Sequence, residues 1–345
     1  MAKEKKDEVY VCSGIELFER RKKRDILTST LSTDIGLNGG IPMGCTVLLG
    51  GKQKTGKSTT ALGYAAEAQE KYGSKVFYAN VEGRLDNKIL SQIKKLDLKN
   101  LEVIMGPAIT DKQGNVIGNR KMSAQQWWTK IGEIITNNPR SVIIVDSVSA
   151  LSEEAEIAEG MGHMSRGGLQ KLESQFVRQY GDLIVPNNIT LFLLAQVQAN
   201  TSGYGDPIQI KCGNSIRFMA DAIIFVKGVE KWKPNADGRI LGHDMIWKIE
   251  CSPLGAPFID TKVPLRYGEG LDYARDVMLN AINWEIIKPS GSWYILPFKE
   301  EDSKIVFAED GDIKVQGEEN VRTWLVEHPD CLNKVDKTLR SKFFE

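Results

Sequence analysis

The sequence predicts an α/β protein: a core on a mostly parallel central sheet, followed by a small α+β domain. Three observations carry that expectation. Between residues 30 and 270, short β-branched or apolar runs alternate with helix-length segments, the spacing that parallel strands with crossover helices require. A phosphate-loop pattern, Gly51-x4-Gly56-Lys57-Ser58, joins one such run to one such segment. Beyond Gly270 the texture changes to short strand-like runs and terminal helical stretches.

The 345 residues suggest two domains, or one large domain with an appendage. A hydrophobic fraction of 41% and an aromatic fraction of 8% supply a core and exclude a wholly disordered chain. The 45 basic and 45 acidic side chains cancel, which excludes a protein that holds polyanions through its net field alone. The five cysteines are scattered and the three histidines lie far apart, so neither a disulfide framework nor a His/Cys metal cluster is expected. No apolar run approaches a membrane span and the N-terminus is charged. A cytoplasmic protein with no membrane partner is the expectation.

In order along the chain, residues 1–29 form a charged arm containing Arg20-Arg21-Lys22-Lys23-Arg24. The run is either a solvated face or a segment that touches a neighbouring subunit or DNA. Residues 30–270 form the core, with strands expected at 46–49, 75–79, 141–145, 190–195 and 222–226, and helices at 61–69 and 122–136. The run before Asp146 is apolar at consecutive positions, as in a strand buried on both faces. Residues 271–345 form the C-terminal domain: a helix at 272–287, a strand at 291–298, a hairpin turn at Asp310-Gly311, and helical sequence at 320–345 interrupted by Pro329. Residues 298–345 carry 8 basic and 12 acidic side chains, so this domain is acidic.

The phosphate loop assigns roles by chemistry. Gly51 and Gly56 let backbone amides turn toward phosphate oxygens. Lys57 supplies a point charge to the β- and γ-phosphates, and the Ser58 hydroxyl is a Mg²⁺ ligand. The helix that follows presents its N-terminus to the anion. Lys54, Thr55 and Thr59 complete the candidate ATP-binding set, and Lys52 and Lys54 are either extra phosphate contacts or solvated. Ser141-Val-Ile-Ile-Val-Asp146-Ser147 ends a strand on a carboxylate, where α/β sheets bind ligands. Asp146 is therefore the second Mg²⁺ ligand. Glu82 follows another strand in Val76-Phe-Tyr-Ala-Asn-Val-Glu82 and is the candidate that activates water.

The ordered motifs resemble the RecA family of DNA recombinases. Ser29-Thr-Leu-Ser-Thr-Asp-Ile-Gly-Leu-Asn-Gly-Gly-Ile-Pro-Met-Gly44 resembles the segment before that family's phosphate loop, and Val142-Ile-Ile-Val-Asp-Ser-Val-Ser-Ala-Leu151 resembles its second ATPase motif. Leu254-Gly-Ala-Pro-Phe258 and Tyr267-Gly-Glu-Gly270 resemble the end of its core, and Gly291-Ser-Trp-Tyr294 and Thr323-Trp-Leu325 its small C-terminal domain.

The resemblance implies that Glu82, Gln196 and Lys57 are catalytic, with Gln196 sensing the γ-phosphate. It implies two DNA-binding loops, at about 157–168 and 197–213. The DNA-contacting set is then Gly160, Gly162, His163, Met164, Arg166, Tyr204, Lys211 and Arg217. Arg166, Lys211 and Arg217 suit phosphates; Met164 and Tyr204 suit bases without reading sequence. Arg217, Phe218 and Lys248 are assigned to a subunit interface. The implied activity is a DNA-dependent ATPase that uses ATP and Mg²⁺, forms a helical filament on single-stranded DNA and pairs it with homologous duplex DNA. Two departures stand out. Cys251 and Pro253 replace a lysine pair that reaches the neighbouring subunit's ATP, with Lys248, Arg217 or Lys262 as substitutes. An adenine-stacking tyrosine is replaced near Ile89. Such drift is commoner in phage-encoded members. The alternatives are a hexameric RecA-like helicase or ATPase, and a single-strand-coating filament protein that binds ATP with little turnover.

Overall fold

The computed structural model describes residues 11–21, 24–159, 167–200, 207–233, 238–302, 304–308 and 310–344. Its centre is a nine-stranded sheet. In chain order the strands are β1 (Thr46–Gly51), β2 (Val76–Asn80), β3 (Leu101–Ile104), β4 (Val142–Asp146), β5 (Thr190–Ala195), β6 (Ala222–Lys231), β7 (Gly242–Cys251), β8 (Ile259–Arg266) and β9 (Gly270–Leu271). They lie in the order β9-β8-β7-β6-β1-β5-β4-β2-β3. From β6 to β3 every pairing is parallel, and from β6 to β9 every pairing is antiparallel. The expected α/β class with a mostly parallel sheet is what the chain adopts.

Strand alternation divides two cores. Val142 and Ile144 of β4 face a layer containing helix α1 (Lys57–Tyr72), while Ile143 and Val145 face helices α2 (Ala124–Asn137) and α3 (Gly168–Ile184). Both faces are thus covered, which is why these strands read as continuous apolar runs. Helix α1 extends beyond its apolar core in both directions, from Gly56, in the left-handed conformation at φ 85°, to Gly73 at φ 62°. Helix α2 starts later than its apolar run because Ser123 and Gln126 close a capping box around its first turn.

The C-terminal residues pack around helices α4 (Tyr273–Asn283), α5 (Glu318–Glu327) and α6 (Pro329–Phe344). Pro329 opens α6, where its missing N–H is harmless. The strand expected at 291–298 is two strands, Trp293–Ile295 and Phe298–Glu301, in different sheets. Pro297 separates them and has no N–H to give either ladder. Phe298–Glu301 pairs with Lys304–Phe307, so the hairpin turns at Asp302 (φ 47°) rather than at Asp310-Gly311. Gly311 instead packs against the backbone of Leu296 to Phe298, where a side chain would collide.

The N-terminal segment is joined to both parts. Ile26–Leu27 pairs with Ile41–Pro42, and the Arg24 guanidinium donates to the Met43 carbonyl at 2.8 Å. The helix Leu31–Gly36 places Leu31 in the C-terminal core. Salt bridges also cross: Arg266 to Asp272 (2.6 Å) and Glu319 (2.8 Å), Arg322 to Glu269 (3.0 Å), and Arg340 to Asp34 (2.9 Å). The remaining side chains of the Arg20–Lys23 run lie outside the described residues. Among the described residues, no helix is long and apolar enough to cross a membrane.

Candidate nucleotide-binding site

The C-terminal ends of β1, β2, β4 and β5 lie side by side because these strands are parallel and in register: Gly50 is opposite Ala195, Asp146 opposite Leu194, and Asn80 opposite Asp146. The groups that follow each strand therefore meet at one edge. After β1 comes the Gly51–Ser58 loop; after β2, Glu82; at the end of β4, Asp146; after β5, Gln196. This is the edge where parallel α/β sheets bind ligands.

The loop is held by its own side chains. Thr55 is buried, and its Oγ1 donates to the Lys52 carbonyl at 2.8 Å. Lys57 Nζ donates to the carbonyls of Gly51 (2.9 Å) and Lys52 (2.7 Å). Burial lowers the Lys57 amine below its ordinary value, while Asp146 and Glu82 act in the opposite direction. Gly56 is required twice: its φ is left-handed, and an added Cβ would run into the Met245 sulfur and Leu265. Lys52 and Lys54 are exposed. Thr59 is turned away from this loop, toward Gly270, and lines a cavity between α1 and the C-terminal helices.

Ser58 Oγ donates to Asp146 Oδ2 at 2.6 Å. The Tyr78 hydroxyl donates to the same oxygen. Burial, and then the nearby Asp146 charge, hold the Tyr78 phenol far above its ordinary range, so it stays protonated. The hydroxyl and carboxylate suit Mg²⁺, which takes one or two protein oxygens and completes its shell with waters and phosphates. Among the described residues, no three His, Cys, Asp or Glu side chains form a richer metal cage.

Glu82 Oε1 accepts from Ser147 Oγ (2.7 Å) and from Gln196 Nε2 (3.0 Å), and Arg84 approaches Oε2 at 3.5 Å. The Glu82 backbone amide donates to the Asp146 carbonyl at 3.1 Å. The Asp146–Ser147 peptide is cis.

Gln196 also begins a hairpin. Val197–Ala199 pairs antiparallel with Ile208–Ile210, and Lys211 N donates back to Gln196 O at 2.8 Å. Ser149 fastens the base, accepting from Gln196 N (2.8 Å) and donating to Lys211 O (2.9 Å). The segment expected to be a loop at about 197–213 is therefore, in its described parts, two paired strands. Beyond it, the helix Asn214–Met219 carries Arg217 and Phe218. Arg217 bonds Glu250 at 2.5 Å, Lys248 lies 3.8 Å from the same carboxylate, and Phe218 is 87% exposed. Lys262 pairs instead with Glu230, at 2.6 Å. Ile89 packs at the margin of the α1 core. Gly160, Gly162, His163, Met164, Arg166 and Tyr204 lie outside the described residues.

Three contributors were not legible as site residues: Tyr78, Ser147 and Ser149. Tyr78 had a signal, as a hydroxyl in an apolar strand two positions before Asn80. The two serines had none, because their partners are 65 and 47 or more positions away.

The family model described as RecA N-terminal domain matches residues 15–272. The chain belongs to the RecA family. It is 28% identical to Protein RecA of Syntrophus aciditrophicus over 319 residues, covering 92% of this chain and 84% of that protein. It is 27% identical to Protein RecA of Ruminococcus albus, covering 93% and 73% of the two chains. It is 28% identical to Protein RecA of Streptococcus pneumoniae, covering 96% and 79%. RecA membership brings with it ATP and DNA binding in recombination and repair.

Proposed function

We propose that this RecA-family chain is a DNA-dependent ATPase that forms a helical filament on single-stranded DNA and promotes pairing and exchange with a homologous duplex. The observation that carries this reading is the double role of Gln196. Its side chain binds Glu82, and its backbone opens the hairpin that leads to Lys211 and Arg217. A γ-phosphate that competes for the Gln196 amide pulls on the foot of that hairpin. Nucleotide and DNA states are then coupled through one residue.

In this reading Lys57 leaves the Gly51 and Lys52 carbonyls for the phosphates. Glu82 takes a proton from attacking water. Ser58 and Asp146 would hold Mg²⁺, which supplies charge neutralisation on the phosphates. Catalysis rests on positioning and electrostatics. Lys211 and Arg217 meet DNA phosphates, and Phe218 meets a neighbouring subunit. Gly160, Gly162, His163, Met164, Arg166 and Tyr204 complete the DNA contacts.

The test is the ATPase rate with and without single-stranded DNA. Stimulation by DNA is expected, with loss of both nucleotide binding and turnover in Lys57→Ala. An unchanged rate and unchanged DNA binding in that variant would sink the site assignment. Electron microscopy with ATP, Mg²⁺ and DNA should show helical filaments; rings would favour a helicase.

One observation favours a low-turnover filament as the second reading. Arg217 and Lys248 both face Glu250 of the same chain, and Cys251 donates to the Asp221 carbonyl at 3.3 Å. Equal strand exchange with ATP and a slowly hydrolysed analogue would support that reading.

A further inference from the structure

Thr59, in the first turn of α1, opens onto a cavity of about 700 Å³ between α1 and the C-terminal helices α5 and α6. That is the size of a small-molecule site. Gly63, Ala66, Leu271 and Leu332 supply apolar wall. The rest of the wall is charged, and each cation lining it already has a carboxylate partner. Lys71 pairs with Glu67, Lys94 with Glu269 at 2.8 Å, Lys95 with Glu70 at 2.8 Å, and Arg322 with Glu269 at 3.0 Å.

One acceptor in this wall is left over. Asp336, on α6, lines the cavity and is 7% exposed. Its Oδ2 accepts from Arg340 Nε at 2.7 Å, while its Oδ1 has no hydrogen-bond partner among the described residues. The Tyr273 phenol shares the field of this carboxyl without closing a bond to Oδ1. Arg340 is divided, because its terminal nitrogen donates to Asp34 Oδ2 at 2.9 Å. Asp276, also buried, adds a third carboxyl that interacts electrostatically with Asp34 and with Asp336. Three buried carboxyls thus share the Arg340 guanidinium, and the oxygen without a partner belongs to the one that lines the cavity.

A buried carboxylate oxygen with no donor is costly. What the cavity lacks is a positively charged donor beside Asp336. An anion would have to break an existing ion pair to bind there, whereas a cation breaks none.

We propose that this cavity binds a small aliphatic amine, its ammonium donating to Asp336 Oδ1 and its stem lying on Gly63, Ala66 and Leu332. An occupant ties α6 to α1, the helix that begins at the phosphate loop. The site is independent of the proposed recombinase activity.

The test uses the full-length protein without nucleotide or DNA. The probes are n-pentylamine, protonated at neutral pH, 1-pentanol, which has the same stem without the charge, and inorganic phosphate at matched ionic strength. Methyl NMR of leucine and valine, with thermal unfolding alongside, reads the site. The amine should saturably shift Leu271, Val326 and Leu332 and raise the unfolding temperature. The alcohol should bind about ten-fold more weakly, and Asp336→Asn should weaken the amine by a similar factor, as expected for loss of a hydrogen bond to a charged group.

A second variant keeps the test decisive if Asp336→Asn fails to fold. Asn333 is exposed, lines the cavity and precedes Asp336 by three positions on α6. Asn333→Lys should place a tethered ammonium beside the carboxylate, raising the unfolding temperature and suppressing amine binding. Equal binding of amine and alcohol would overturn the proposal, as would unchanged amine affinity in the folded variants. Localised shifts with phosphate but none with the amine would mark an anion site and overturn it too. None of these outcomes depends on ATP turnover or DNA binding, so the recombinase reading is tested separately.

Discussion

Gln196 Nε2 donates a 3.0 Å hydrogen bond to Glu82 Oε1, joining the ends of two strands that are not neighbours in the sheet. Ser147, from the strand between them, donates to the same oxygen at 2.7 Å. One carboxylate oxygen therefore gathers the ends of β2, β4 and β5. A group held by two donors is oriented before any ligand arrives, which lowers the reorganisation that a reaction would require.

Glu82→Gln keeps this shape but cannot accept a proton. ATP turnover should fall by about 10²–10⁴-fold, the usual worth of a general base, while ATP and DNA affinities stay within a few fold. Gln196→Ala should behave differently, leaving DNA-free hydrolysis measurable but abolishing its stimulation by DNA. Steady-state ATPase assays with and without single-stranded DNA, paired with nucleotide binding, check both. Equal stimulation in Gln196→Ala and wild type would break the proposed link.

Tyr78→Phe removes one of two hydroxyls that hold Asp146 Oδ2. The Mg²⁺ concentration for half-maximal turnover should rise about ten-fold, as when an outer-shell partner of a metal ligand is lost. A Mg²⁺ titration of ATPase activity measures it. An unshifted midpoint would mean that Ser58 alone orients the carboxylate.

Gly132→Ala should destabilise the core, because its Cβ would enter the Tyr180 ring between α2 and α3. The expected cost is about 1–3 kcal/mol, the range for overpacking. Thermal or urea unfolding gives the value. Combining it with Tyr180→Ala should recover part of the loss, since the two positions share one contact.

Asp34 and Asp276 set a pH dependence for the packing of the C-terminal helices. Burial raises Asp34 to about 7, against Arg340, and raises Asp276 to about 6, against bonds from Ser32 and Thr30. The charged groups facing them are Arg340 and Asp336. Both folded-state values lie above the ordinary one near 4, so their contribution is fully present below about pH 4 and is lost as pH rises through 6 and 7. Unfolding followed across that window should show a falling component that Asp34→Asn removes. Arg340→Met removes the charge that holds Asp34 down, so the falling component should move to higher pH in that variant.

Several parts of this architecture are readable without coordinates. The phosphate loop, the strand before Asp146 and the helix after Gly56 depend on local spacing, and local spacing is what a sequence displays. The split at Pro297 was missed because residues 291–298 are strand-compatible throughout, and only the two different pairing partners separate them. The hairpin turns at Asp302 and not at Asp310-Gly311 for a related reason. Asp310-Gly311 is a good turn dipeptide, but the Gly311 position is chosen by its contact with the Leu296–Phe298 backbone.

Chain order alone carries the α/β class, the family and the choice of Lys57, Ser58, Glu82 and Asp146 as candidates, which the parallel register then brings to one edge of the sheet. These follow from period, composition and motif, which survive in one dimension. The convergence of Ser147 and Gln196 on one oxygen of Glu82, the hold of Tyr78 on Asp146, the bridging by Ser149 and the burial of Glu173 against Gly213 are not written there. Each is a contact between residues brought together by strand register and helix packing. Register is settled by burying both faces of the sheet at once, and a condition on the whole core cannot be read from any one segment.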